Sequence, residues 1–148
     1  MRPRPSARFV SGIVTLLLMT AQASASANVD CAIDDANLKF ELEAIASRSG
    51  PIQQIQVSSI DIKPAAIKLA VPNIAFGRID LIQQWIQGDD LRLQIEVGDE
   101  AAKQNVNLTI IAQLNGKTEK YAGRYVLKIS HAGATKEFKG RIKECQAG

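Results

Sequence analysis

Apolar and polar positions alternate with a period of two along most of this chain. Over 37–46, Leu38, Phe40, Leu42, Ala44 and Ala46 share one face, while Lys39, Glu41 and Glu43 take the other. One apolar and one polar face predict a strand half buried in a sheet. Ser47 to Pro51 reads as a turn. In 52–62 the apolar phase changes: Ile55 and Val57 belong to one face, Ile60 and Ile62 to the other, and the change at Ser58-Ser59 predicts a bulge. Pro64 ends this segment, and 65–71 reads as a short strand closed by Pro72-Asn73.

Residues 78–87 follow a different rule. Ile79, Ile82, Trp85 and Ile86 recur at i, i+3, i+6 and i+7, with Gln83, Gln84 and Gln87 between and behind them and then Gly88. That spacing predicts one short amphipathic helix, with Trp85 on its buried face and Gly88 as its C-cap. From 90 onward the alternation returns. Leu91, Leu93, Ile95 and Val97 oppose Arg92, Gln94 and Glu96; Val106, Leu108, Ile110 and Ala112 oppose Asn107, Thr109 and Gln113. Asn115-Gly116 predicts a type I′ hairpin turn, because both residues tolerate positive φ. Tyr121, Gly123, Tyr125, Leu127 and Ile129 alternate with Lys120, Arg124 and Lys128. After a turn at 131–134, Phe138, Gly140 and Ile142 alternate with Lys139, Arg141 and Lys143. Four strands joined by short turns make an antiparallel meander.

These elements predict an all-β, mainly antiparallel fold: a single β-sandwich or flattened barrel of about seven strands, with the helix at 78–87 over one end or face. The cysteines sharpen this picture. Only Cys31 and Cys145 exist, near the two ends of the chain, and in an oxidising compartment such a pair reads as a disulfide. Closing so long a loop stabilises by roughly 4–5 kcal/mol in the chain-entropy account. An immunoglobulin identity is not supported, because there the pair bridges the sheets from inside the fold, around a tryptophan.

The compartment follows from the first 27 residues. Arg2, Arg4 and Arg8 precede an apolar run from Phe9 to Met19, and Ala21 to Ala27 supplies small residues for cleavage after Ala25 or Ala27. This is the grammar of a bacterial Sec-type signal peptide, and its apolar core is too short for a permanent membrane anchor. The expected division is a cleavable leader, 1–27, and one β-rich domain, 28–148, that works in the periplasm or is secreted. No lipidation box precedes Cys31 and no anchor is expected in the mature chain.

Removal of the leader changes the charge argument. The full chain has 18 Lys+Arg and 15 Asp+Glu; three arginines and no acid lie in the leader, so the remainder is balanced at 15 against 15. The basic pI therefore does not indicate nucleic-acid binding. Charge is nevertheless unevenly placed. Residues 28–116 hold 7 basic and 12 acidic side chains, and residues 117–148 hold 8 and 3. Lys120, Arg124 and Lys128 share a strand face, as do Lys139, Arg141 and Lys143, so a hairpin would carry six cations as a stripe. Such a stripe fits an anionic envelope component or an acidic protein. The ordinary alternative is neutralisation by Glu41 and Glu43, brought near Arg141 and Lys143 by the disulfide.

Little else carries chemistry. His131 is the one histidine and lies in a turn, no nucleophile motif surrounds any serine, and paired cysteines are not nucleophiles. The pairs Asp34-Asp35, Asp89-Asp90 and Asp99-Glu100 flank elements, where turn chemistry favours acids, and no metal or cofactor is expected. The sequon Asn107-Leu108-Thr109 falls in a strand. With Trp85 assigned to the core, a sugar platform is not encouraged. The reading is a small non-enzymatic binding module using the basic hairpin. Its alternatives are a carrier of a lipid or apolar ligand beneath the helix near Trp85 and Ile86, or an inhibitor of a secreted enzyme acting through Ser47–Pro51 or Val97–Gln104. The sequence does not indicate the oligomeric state.

Overall fold

The fold is taken from a computed structural model that describes residues 26–47, 50–63, 67, 69 and 71–148. Most of the expected leader therefore lies outside the described residues. The strands are β1 Ser26–Asp34, β2 Leu38–Ser47, β3 Ile52–Ile62, β4 Asn73–Ile74, β5 Leu81–Gln87, β6 Asp90–Asp99, β7 Gln104–Asn115, β8 Lys120–His131 and β9 Ala134–Ala147. A single 3-10 turn, Arg78–Asp80, precedes β5.

All nine strands join one antiparallel sheet in the order β4-β3-β2-β1-β9-β8-β7-β6-β5. Every neighbour is a sequence neighbour except the β1–β9 pair, so the first and last strands meet in the middle of the sheet. The edges β4 and β5 are joined directly through 75–80. Those few residues reach at most about 25 Å. Nine flat strands would hold the edges about 38 Å apart. The sheet must therefore curl until its edges approach each other. Side chains span the resulting seam: Ile52 N–H donates to Gln84 Oε1 at 2.6 Å, and Arg78 Nη1 donates to the Gln53 carbonyl at 3.2 Å.

Curling gives the sheet an inside. The apolar face of each strand enters one continuous core with Phe40, Tyr125, Leu38, Leu108 and Leu127 at its most buried positions. Alternation is regular in β2, over 104–112 of β7 and over 125–129 of β8, whose side chains switch there between buried and more exposed at each step. Cys31 and Cys145 are directly opposed on β1 and β9, and they form the expected disulfide. Backbone bonds in both directions between Asn28 and Gly148, each 3.1 Å, extend that junction.

At the opposite end of β1, the turn into β2 is braced from across the core. Tyr125 Oη donates to Asp35 Oδ2 at 2.6 Å, and Asn37 Nδ2 donates to Tyr125 Oη at 3.1 Å. The Tyr125 ring occupies the space that a side chain at Gly140 would fill: a Cβ built there would lie 2.3 Å from the ring. Gly140 is Tyr125's direct cross-strand partner, so the glycine gives the aromatic its seat.

The all-β, antiparallel class is as expected, and several finer expectations are corrected. Among the described residues the structure is one curled, open sheet of nine strands, in place of the expected two-sheet sandwich or flattened barrel of about seven. No helix covers 78–87: a 3-10 turn runs into β5. A register shift between Leu81 and Gln83 breaks the period-two pattern there, which is how a strand acquires helical spacing. Gly88 is not a C-cap. With φ +57 it opens the tight Gly88-Asp89 turn between β5 and β6, where glycine escapes the Cβ clash. The carrier site expected beneath that helix loses its roof.

The bulge expected in β3 exists, but its register shifts lie opposite Glu43/Ala44 and Ile45/Ala46, nearer the strand start than Ser58-Ser59. The strand expected over 65–71 falls largely outside the described residues, and β4 follows it instead. Asn115 does begin a hairpin, but through a four-residue loop, 116–119, whose positive φ is at Glu119.

Candidate functional site

Directly opposed residues of antiparallel strands point to the same face. Following the register across the outer surface traces one transverse row. Trp85 of β5 opposes Arg92 of β6, Arg92 opposes Ile111 of β7, Ile111 opposes Arg124 of β8, and Arg124 opposes Arg141 of β9. Four strand spacings place its ends about 19 Å apart along the surface. Arg92, Arg124 and Arg141 are exposed, and Trp85 is 55% exposed. Two depressions follow this row: one of about 670 Å³ beside Ile82, Trp85 and Gln94, and one of about 410 Å³ beside Gln113 and Arg124. They share Asp90, Arg92 and Ile111, and so form one trough.

The six cations singled out from the sequence have different fates here. Lys128 and Lys139 converge on Glu137, at 3.5 and 2.8 Å. The hydrogen bond from Lys139, reinforced by Lys128, holds the Glu137 carboxyl below its ordinary range. Lys120 borders a separate depression of about 330 Å³ with Asp30, Glu41, Glu43 and Glu144. Lys143 lies beside the register shift where Tyr121 and Gly123 face Cys145 and Ile142. Arg124 and Arg141 face each other directly, and among the described residues neither makes an ion pair or a side-chain hydrogen bond. Arg92 also has none.

Neutralisation by Glu41 and Glu43 is not seen, because β1 separates β2 from β9. Glu41 instead meets Lys39 at 3.1 Å, and that hydrogen bond raises the Lys39 pKa. The outer surface is thus divided: carboxylates gather over β1 and β2, and unpaired guanidinium groups over β6, β8 and β9. Two like charges directly opposed across a ladder oppose folding unless an anion lies between them. The arrangement therefore suits anion capture.

Three members of this row, Trp85, Arg92 and Ile111, are not among the site residues expected from the sequence. Arg92 was visible as an outward residue between Leu91 and Leu93, but it precedes the basic tail. The helical spacing of 78–87 puts Trp85 in the core, whereas the register places it outward beside Arg92. The signal that finds it is Gly88-Asp89, a hairpin pair that makes 81–87 the partner of 90–95.

Asp90 lines the trough itself, and most of the remaining candidates are occupied with structure. Asp35 accepts from Tyr125 Oη and from the Asn37 and Leu38 backbone N–H groups. Burial raises its pKa, yet these hydrogen bonds and nearby Lys63 together bring it below the ordinary value. Asp34 pairs with Lys63, and Asp99 Oδ1 accepts from Ala102 N–H. Asn107 donates to Glu96 at 3.3 Å, engaging the sequon's amide within the sheet. His131 ends β8 with a buried Nδ1 that has no hydrogen-bond partner among the described residues. Among the described residues, no group of three His, Cys, Asp or Glu side chains could hold a metal ion, and no helix is long and apolar enough to cross a membrane. Comparison with known families, with curated proteins and with solved structures finds no match to this chain.

Proposed function

We propose that this protein is a small non-enzymatic binding module of the periplasm or the secreted space, and that its outer basic face receives an anionic component of the envelope. The observation that carries this reading is the Arg124–Arg141 pair: two exposed guanidinium groups, directly opposed and without a carboxylate partner among the described residues. Arginine suits the role, because its planar fork grips carboxylate and phosphate oxygens two at a time. A disulfide-stapled sheet holds such a face rigidly, and a leader of the Sec type would place it where envelope polymers are found.

The test is retention of the mature domain on an immobilised polyanion as salt is raised. R124E/R141E should elute at much lower salt than the unaltered protein, whereas K103E/K117E, with the same change in net charge on exposed turns, should elute near it. Equal losses in the two variants would mean that only net charge matters, and would remove the assignment of the face.

A further inference from the structure

We infer that the ligand of this face is a carboxylated glycan lying across β5 to β9, with one sugar ring on Trp85 and its acid groups on Arg92, Arg124 and Arg141. This rests on the reading of the basic face above and extends it to a ligand class and to two residues outside the hairpin. Three observations converge. The indole is 55% exposed at the β5 end of the same transverse row that carries the arginines. An exposed aromatic face at the end of a polar trough provides a stacking platform for the apolar side of a sugar ring.

Beside the row the trough is rich in hydrogen-bonding groups, with Asp90 its one carboxylate among the described residues. Gln83 opposes Gln94, Gln94 opposes Thr109, and Gln113 opposes Asp90. Amides and hydroxyls that both donate and accept match the hydroxyl groups of a sugar, and a uniform polyelectrolyte has no use for them. The charges are also spaced. Arg92 and Arg124 are two strands apart, about 10 Å, with Ile111 between them, while Arg124 and Arg141 are adjacent, about 5 Å. An anion borne at intervals along an extended chain meets this pattern, whereas a single phosphate would reach only one end of it. Charge complementarity selects an acidic glycan over a neutral one. Gln83, Gln94, Thr109 and Gln113 interrupt the apolar lining of Ile82, Trp85 and Ile111, whereas a lipid surface would ask for apolar side chains along the whole trough.

The experiment titrates the mature domain with an oligogalacturonate hexamer and follows Trp85, the single tryptophan, by fluorescence. The expected result is saturable binding with a changed Trp85 signal. R92E and R124E should each weaken it by tenfold or more, and W85A should weaken it without increasing its salt dependence. Dextran of the same length should not bind. Dextran sulfate binding without any Trp85 response, with the hexamer inactive, would overturn the glycan inference and leave the basic-face reading standing. Preferential binding to phosphatidylglycerol vesicles would likewise replace the glycan by a lipid surface. Failure of all three anions to bind would overturn both readings. Unchanged circular dichroism of R92E, R124E and W85A, whose side chains point out of the core, separates lost binding from lost folding.

Discussion

The curled sheet has two junctions, and they are made differently. Where β1 meets β9, backbone ladder, disulfide and the Asn28–Gly148 pair act together. The brace from Tyr125 to the turn at Asp35 and Asn37 secures the far end of β1, and Asn37 also reaches the Lys139 carbonyl on β9. Where β3 faces β5 there is no ladder. The seam rests on Gln84, on Arg78, on the Ser58 hydroxyl donating to the Phe76 carbonyl, and on Phe76 stacked against Phe40 at 5.9 Å. The apolar residues left exposed, Ile79, Ile82, Trp85 and Val57, belong to the strands and connection bordering this seam. Backbone pairing and covalent closure make a junction that opens only with the whole fold; side-chain bridges make one that opens locally. The trough beside Trp85 begins on the second kind.

Breaking the first junction should have the largest effect. C31S/C145S is expected to lower unfolding free energy by about 4 kcal/mol, measured by urea denaturation against the oxidised protein. A loss below about 1 kcal/mol would mean that the ladder closes the sheet unaided. G140A comes next. Its methyl would meet the Tyr125 ring, and displacing the ring should cost about 1–3 kcal/mol with loss of the Asp35 hydrogen bond. If G140A were neutral, the seat of Tyr125 would not hold the brace.

The seam should respond more weakly and more locally. Q84A removes the acceptor for Ile52 N–H and is expected to cost about 1 kcal/mol. Native-state hydrogen exchange should then quicken in β5 and the start of β3 while β1 and β9 remain protected. Acid provides a milder test of the brace. Because the folded Asp35 has a pKa below its ordinary value of 3.8, its contribution is complete above that value and is lost as pH falls through the lower folded one. D35N should flatten the acid limb of the stability profile and leave neutral-pH exchange at the seam unchanged. The smallest effect is expected for R141Q, which relieves the opposed arginines and should raise stability by a few tenths of a kcal/mol.

The same contrast explains what could be read from the amino-acid order. Strands β6 to β9 were legible because each pairs with its sequence neighbour and keeps a period-two stretch long enough to read, which in β9 is only Phe138 to Ile142. The disulfide was legible because two cysteines allow one pairing. Strand β1 was legible in principle, with Val29, Cys31 and Ile33 inward and Asp30 and Asp34 outward, but the end of the expected leader obscured it. At the seam local pattern misled, since a bulge at Ile82 imitates a helix and the partner across the gap is reached by side chains only. The arginine row runs perpendicular to the chain. Its members are separated by 19, 13 and 17 positions from Arg92 to Ile111, Arg124 and Arg141, and only the register aligns them.

The meeting of β1 and β9 in mid-sheet has a consequence for how the chain folds. Every other ladder joins strands that follow one another, and those contacts form at short sequence separation. The closing pair joins residues 114 positions apart, so it waits for both arms of the meander. A circular permutant beginning at Leu81 and ending at Ile74, with Gly148 linked to Ser26, would turn that long-range contact into one more hairpin. Its disulfide would occupy the same place in space but close a loop of about ten residues, and would give up roughly 2 kcal/mol of its hold on the unfolded chain. The natural chain order thus makes the last contact to form the one that a covalent bond secures.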